Sequence, residues 1–320
     1  METNTFQKSF MSLWFNGKKQ IRAKKFLEEM DKVIPYEKFL NLIKNKYYGW
    51  ATTGRPKTNL KLMLKIYFLQ QFYELWDLAM EEAIYDRISF QEFLWIDILS
   101  TKVPDETTIL NFRHFLEENK YQDEFFEEVL WLLKEKDLFF TRWTIVDASI
   151  IKASSHTKNK ERKRDEEMSS TRKNNNYYFG MKAHIWVDAE SWIVHSVEVT
   201  TAKESDISQK DKLLHWEEKA IFWDKAYNKK ADKKKARKDW IFYWMTNKAT
   251  KSKKLSTKQK KRNKQLSSVR SKVEHAFRIL KCQFNYVKVR FKWLEKNRLT
   301  VMMKLALWNL YMKRKVLLPT

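Results

Sequence analysis

The sequence predicts a chain in two parts, an all-helical N-terminal part over residues 1–138 and an α/β part over 139–320 in which a mixed sheet is flanked by helices. Three observations predict it. Apolar residues recur at helical spacing through the first part, short runs rich in β-branched and aromatic residues begin near Trp143, and a long helical pattern returns after residue 265. The 320 residues, 43% of them hydrophobic, are enough for two domains with real cores and exclude a disordered tail or a disulfide-stapled miniprotein.

In the first part, Leu60, Met63, Leu64, Tyr67 and Phe68 follow the i, i+3, i+4, i+7, i+8 stripe of a core-facing helix. In VPDETTILNFRHFLEEN, Pro104 and Asp105 supply a stop and an N-cap; Ile109, Phe112 and Leu116 then form a buried stripe, while Asn111, Arg113 and His114 point elsewhere. Such a bundle is either a DNA-gripping helix-turn-helix or a packing and dimerisation domain.

In the second part TIVDASII, YYFGMKAHIWVDA, WIVHSVEVTT and KAIFWD read as strands. Only Ala189, Glu190 and Ser191 separate the second from the third, which predicts a hairpin, and SQKDKLLHW before the fourth predicts a crossover helix. The charged stretch 158–176 predicts a mobile loop between the first two strands, and the lysine-dense stretch 248–264 predicts a basic segment leading into the last long helix.

Lys and Arg number 64 against 40 Asp and Glu, a net charge of +24 that favours a large polyanion such as nucleic acid over a small acidic substrate, with an anionic membrane as the rival partner. No apolar run approaches the ~18 residues of a membrane span, and METNTFQKSF lacks the layout of a signal peptide, so a cytoplasmic protein is expected. The single cysteine, Cys282, agrees with a reducing compartment and excludes both an intrachain disulfide and a multi-cysteine zinc site.

Asp147 stands in the middle of one apolar strand and Asp224 ends another. A carboxylate so placed is costly unless it is hydrogen-bonded or holds a metal. One such aspartate is explained by capping a turn or pairing with a lysine; two at the ends of core strands point to the edge where α/β sites are assembled. In SSVRSKVEHAFRILKCQF, steps of 100° from Arg270 put Glu274 at about 40° and Lys281 at about 20°, so the three share one helical face. Val273, Ala276, Phe277, Leu280 and Phe284 form a neighbouring apolar stripe that docks the helix on the sheet and leaves Glu274 to join Asp147 and Asp224. The alternative is an i, i+4 ion pair between Arg270 and Glu274 on a solvent face. Three hard oxygen donors suit Mg²⁺ or Mn²⁺ rather than zinc, and two such ions could serve phosphodiester cleavage, with Arg270 and Lys281 on phosphate. His184, Asp188 and His195, on or beside the hairpin, read as surface or cross-strand residues, and His275, about 100° from Glu274, as structural.

VDAS around Asp147, the Asp224-x-Ala-Tyr227 motif, and Arg270-x3-Glu274-x6-Lys281 together resemble the signatures of DDE transposases of bacterial insertion sequences. PDETTILNFRH, YFGMKAHIWVDAES and KVEHAFRILKCQF are similar to the insertion-sequence-five branch. The resemblance implies a ribonuclease-H-like catalytic domain behind a helical N-terminal domain that binds DNA ends or dimerises. It implies Asp147, Asp224 and Glu274 as the catalytic, metal-binding triad for two Mg²⁺ (or Mn²⁺) ions, with Arg270, Lys281, Tyr227 and Arg113 as DNA contacts. It further implies cleavage at terminal inverted repeats, attack of the freed 3′-OH on target DNA, a dimer or higher assembly on double-stranded DNA, and a place in the bacterial cytoplasm at the nucleoid. A nuclease of the same fold without strand transfer, and an inactive remnant that binds the repeats, are the competing functions.

One inversion remains, because a chain of this length would carry roughly 22 glycines at the usual ~7%, and this one has 4 Gly with 14 Trp. The resemblance places glycine where the sequence has Trp143, Trp186, Trp192, Trp216, Trp223 and Trp293, and Trp192 closes a hairpin turn that commonly needs a positive φ. UGA codons that the source organism reads as glycine would account for the inversion; a decayed gene and a genuinely Trp-rich protein are the alternatives. Trp308 fits an ordinary core position.

Overall fold

The computed structural model describes residues 21–49, 56–139, 143–157, 160, 162–173, 175–206, 208, 220–223, 242–245 and 255–318, with the side chains of 221–223, 242–245 and 270 outside that description. Contacts divide the chain into two compact units, Met1–Glu124 with Lys313–Thr320, and Phe125–Met312. No helix among the described residues is long and apolar enough to cross a membrane.

The first unit is helical: α1 (Arg22–Val33), α2 (Tyr36–Tyr48), α3 (Leu60–Tyr73), α4 (Asp77–Asp86), α5 (Ile88–Leu94) and α6 (Glu106–Glu118), with α7 (Tyr121–Glu135) starting here and continuing into the second unit. Helix α3 is its centre. The expected stripe Leu60, Met63, Leu64, Tyr67 and Phe68 is buried, and so are Ile66, Leu69 and Phe72, which makes α3 buried nearly all round rather than amphipathic. Asp105 caps α6 as its sequence predicts, its carboxylate accepting from the Thr108 amide at 2.7 Å, and Ile109, Phe112 and Leu116 are buried. Arg113 departs from expectation. Its guanidinium is buried and holds Asp77 and Glu117, each at 2.8 Å, tying α6 to α4. A buried guanidinium committed to two carboxylates is an internal clamp rather than a DNA contact.

The second unit is built on a sheet of β1 (Trp143–Lys152), β2 (Ser169–Lys173), β3 (Asn176–Asp188), β4 (Val194–Thr201), β5 (Ala220–Trp223) and β6 (Phe242–Met245). Strand β1 pairs antiparallel with β3 on one side and parallel with β5 on the other; β6 extends β5 in parallel, and β4 extends β3 as the predicted hairpin. The order β4-β3-β1-β5-β6, three antiparallel strands followed by two parallel ones, is a mixed sheet consistent with a ribonuclease-H-like domain. Helices α8 (Thr257–Arg278, prolonged by a π-turn over Ile279–Gln283) and α9 (Leu294–Leu317) complete it. Asn309 of α9 grips the start of β4, accepting from the Val194 amide at 2.9 Å and donating to its carbonyl at 2.7 Å.

Two charged stretches are more ordered than their composition suggests. Residues 169–173 of the expected loop form β2 on the early half of β3, beside a buried Met168, because the open edge of β3 offers backbone partners there. Thr257 onward is helix, started by a capping box between Ser256 and Gln259. The expected crossover helix lies outside the described residues apart from Ser208.

Gly180 is where three strands meet. Its φ of 155° is one that L side chains rarely adopt, and a Cβ there would overlap the Ile151 carbonyl oxygen of β1. Gly180→Ala should therefore lower the unfolding free energy by about 3 kcal/mol, the upper range for overpacking, measured by denaturant titration; a loss no larger than for an exposed strand residue would refute the close approach.

Candidate active site

Strand β1 alternates so that Ile145, Asp147, Ser149 and Ile151 share one face. Ile145 and Ile151 are fully buried, which seats this face, while Asp147 is half-buried with its Oδ1 accepting from the Ala148 amide at 2.9 Å. Helix α8 packs against β1, β5 and β6. Its docking stripe is the predicted one, with Val273, Ala276, Phe277, Leu280 and Phe284 all buried.

Two lysines of α8 fix its run along β1. Lys272 donates to the Ala189 carbonyl at 3.2 Å, and the amide of Ala189 in turn donates to Trp143 at the start of β1. Further along, Lys281 donates to Ser149 Oγ at 2.6 Å and to the Ile150 carbonyl at 2.8 Å. The helix and the strand thus run the same way, and Glu274 lies between these anchors as Asp147 lies between Trp143 and Ser149. The Glu274 side chain is exposed. Burial lowers the pKa of Lys281, and the nearby Lys173 and Lys152 lower it further.

Strand β5 runs parallel to β1 with Phe222 opposite Ile145, and its last residue, Trp223, directly precedes Asp224 in the chain. Asp224 and Tyr227 lie outside the described residues, as does the side chain of Arg270 on α8. Among the described residues no three His, Cys, Asp or Glu side chains are grouped to hold a metal. The structure therefore brings Asp147, Glu274 and Lys281 to one strand–helix pair, and it removes Arg113 to an internal role in the first unit. Ser149 went unnoticed in the sequence, although its spacing of two from Asp147 was the available signal.

The hairpin residues hold the sheet together. His184 Nε2 meets Thr200 Oγ1 across the β3–β4 pair at 3.0 Å, His195 Nε2 lies 3.4 Å from Thr144 Oγ1, and Asp188 accepts from the amides of Glu190 and Ser191 at 3.3 and 3.0 Å and from the Ser191 hydroxyl. His275 stacks on Trp192, ring centres 5.1 Å apart.

Residues 139–310, more than half of the chain, match the family described as Transposase DDE domain, and residues 15–115 match the Transposase domain (DUF772). No solved structure matches the chain. The chain belongs to the DDE transposases, metal-dependent enzymes that move DNA. Its pairing of the two matched domains is the insertion-sequence-five architecture.

Burial pushes the pKa of His184 down to about 4, against the pull of Asp206 and with the help of Lys182. A folded-state value below the usual ~6.5 means that protonation favours the unfolded chain, so stability is full above about pH 6.5 and falls as the pH drops toward 4. Urea midpoints measured from pH 7 to pH 4.5 should decline, and His184→Gln should flatten part of that decline; an identical slope in the variant would exclude His184 as its source.

Proposed function

We propose that this transposase binds the terminal inverted repeats of an insertion sequence, cleaves DNA hydrolytically at those ends, and joins the freed 3′-OH to double-stranded target DNA. The observation that carries this reading is the anchoring of α8 along β1, which sets Glu274 and Lys281 beside the strand of Asp147, with β5 ending one residue before Asp224.

The carboxylate donors fit a hard divalent cation, since Asp147 is half-buried and Glu274 is open to solvent. Asp147, Asp224 and Glu274 would hold two Mg²⁺ or Mn²⁺ ions, whose Lewis acidity would serve the attacking and the leaving oxygen of a phosphodiester. The residues of the chain orient and neutralise. Lys281 has two of its three ammonium hydrogens engaged by β1, which leaves one for a phosphate oxygen next to the carboxylates. Arg270, four residues before Glu274, and Tyr227 are further candidates for phosphate contact. The helical N-terminal unit would bind DNA ends or pair subunits, so that two element ends are held in a dimer or larger assembly at the bacterial nucleoid.

The test is cleavage and strand transfer on DNA carrying the ends of the element, with Mg²⁺, for the full chain and for Asp147→Asn, Asp224→Asn and Glu274→Gln. Each variant should lose at least about 10³-fold in rate, because removing charge stabilisation at a reacting phosphate costs roughly 4 kcal/mol. Activity surviving any of the three substitutions would refute the triad, and cleavage without joining would leave a nuclease.

A further inference from the structure

We propose that the exposed first part of α8, Thr257–Gln265, is a separate docking surface for the phosphate backbone of duplex DNA several base pairs from the cut; this deepens the transposase reading and rests on it. The helix has two regimes. From Leu266 on it buries side chains against the sheet, whereas Thr257–Gln265 are exposed apart from a half-buried Asn263. The exposed part carries Lys258, Lys260, Lys261, Arg262 and Lys264, and no Asp or Glu occurs anywhere between Asp239 and Glu274. Successive steps of 100° from Lys258 put all five cations within an arc of about 200°, on the side away from the half-buried Asn263. A small anion would need a pocket with converging donors, whereas a polyanion needs only charge density along a line. The capping box of Ser256 and Gln259 holds the first turn, so the cations stand on formed helix.

The rise of a helix gives the placement. At 1.5 Å per residue, Gln265 lies about 14 Å and Thr257 about 26 Å from Glu274 along the axis. With DNA rising about 3.4 Å per base pair, a duplex running beside α8 would meet this surface about 4 to 8 base pairs from the scissile phosphate.

The experiment compares the full chain with a variant combining Lys258→Gln, Lys260→Gln, Lys261→Gln and Lys264→Gln, changes that keep helix propensity. Duplex binding is measured against salt concentration, and protected phosphates are mapped by ethylation interference. The logarithmic salt slope should shrink by up to about 3.6, and interference about 4 to 8 base pairs from the cut should vanish. An unchanged slope and footprint in the quadruple variant would overturn the surface even if the enzyme cuts DNA; a reduced slope in a protein that cuts nothing would support the surface and count against the chemistry.

A second observation carries an independent inference. Trp95, Trp192 and Trp293 have φ values of 59°, 67° and 76°. A bulky residue in the left-handed region is a genuine outlier, whereas glycine enters it freely. Trp95 follows α5 at the position where helices most often end on glycine: its amide donates to the Glu92 carbonyl, the Ile96 amide donates to Gln91, both at 3.2 Å, and Ile96 is buried. Trp192 closes the β3–β4 hairpin, its amide donating to Asp188 at 2.8 Å. Trp293 leads into α9, and burial does not explain it or Trp95, since they are 54% and 66% exposed.

We infer that glycine occupies 95, 192 and 293 in the protein as its own cell makes it, through UGA codons read as glycine. The backbone supports two of the six positions where the family resemblance placed glycine and adds Trp95. Trp308, inside α9 and 2% exposed, stays tryptophan. Reading the gene tests this: UGA at 95, 192 and 293 with UGG at 308 is expected, and UGG at any of the three overturns it. Trp192→Gly and Trp95→Gly should each raise the melting temperature of the chain as written, while Trp308→Gly lowers it; a fall at 95 and 192 would also count against the inference.

Discussion

Strand β1 is paired on both sides, and the proposed chemistry takes its position from that pairing. The antiparallel bond ladder to β3 fixes which face Asp147 occupies, because a slip of one residue would turn every side chain of β1 to the other face. The parallel ladder to β5 aligns a second strand whose end leads directly to Asp224. Gly180 permits the first of these ladders, since β3 can pass the carbonyl of Ile151 only without a side chain. Between the two buried isoleucines of this face, a half-buried aspartate is held in a single register.

Helix α8 supplies the remaining groups, and its seating is mainly hydrophobic. Val273, Phe277, Leu280 and Phe284 are each worth about 1.5–3 kcal/mol on burial, against about 1.5–3 kcal/mol for a hydrogen bond to a charged group. The apolar stripe therefore holds the helix, and Lys281 sets its register along β1. The same bonds hold an ammonium group with a pKa depressed by burial on the face of β1 that Asp147 shares. Upstream of Leu266 the stripe ends and cationic helix stands in solvent, so one element joins a docked half to a charged half.

Much of this was legible in residue patterns. The stripe of α8, the cap of α6 by Asp105, the β3–β4 hairpin and the helical N-terminal part all follow from periodicity and local chemistry, and all are present. For Arg113, helical phase shows that it leaves the apolar stripe without showing what it meets; it meets Asp77, 36 residues away in sequence. The polar sequence of β2 has no strand signature, and the strand forms because β3 offers it a backbone edge. Nothing in the sequence around Trp95 sets it apart from the other tryptophans; the positive φ at the end of its helix does.

The sequence by itself determined the chemistry available: a basic chain with one aspartate inside an apolar strand and another at the end of one, a helix with Arg270, Glu274 and Lys281 on one face, and too few glycines for its tryptophans. These depend on residue identity and short-range spacing, which the chain carries in any conformation. Only the tertiary structure decided that Lys281 binds β1 two residues past Asp147, that Arg113 is enclosed, and that three tryptophans stand where the backbone turns left-handed. Those facts arise between residues far apart in sequence, or from backbone angles set by the packing around them.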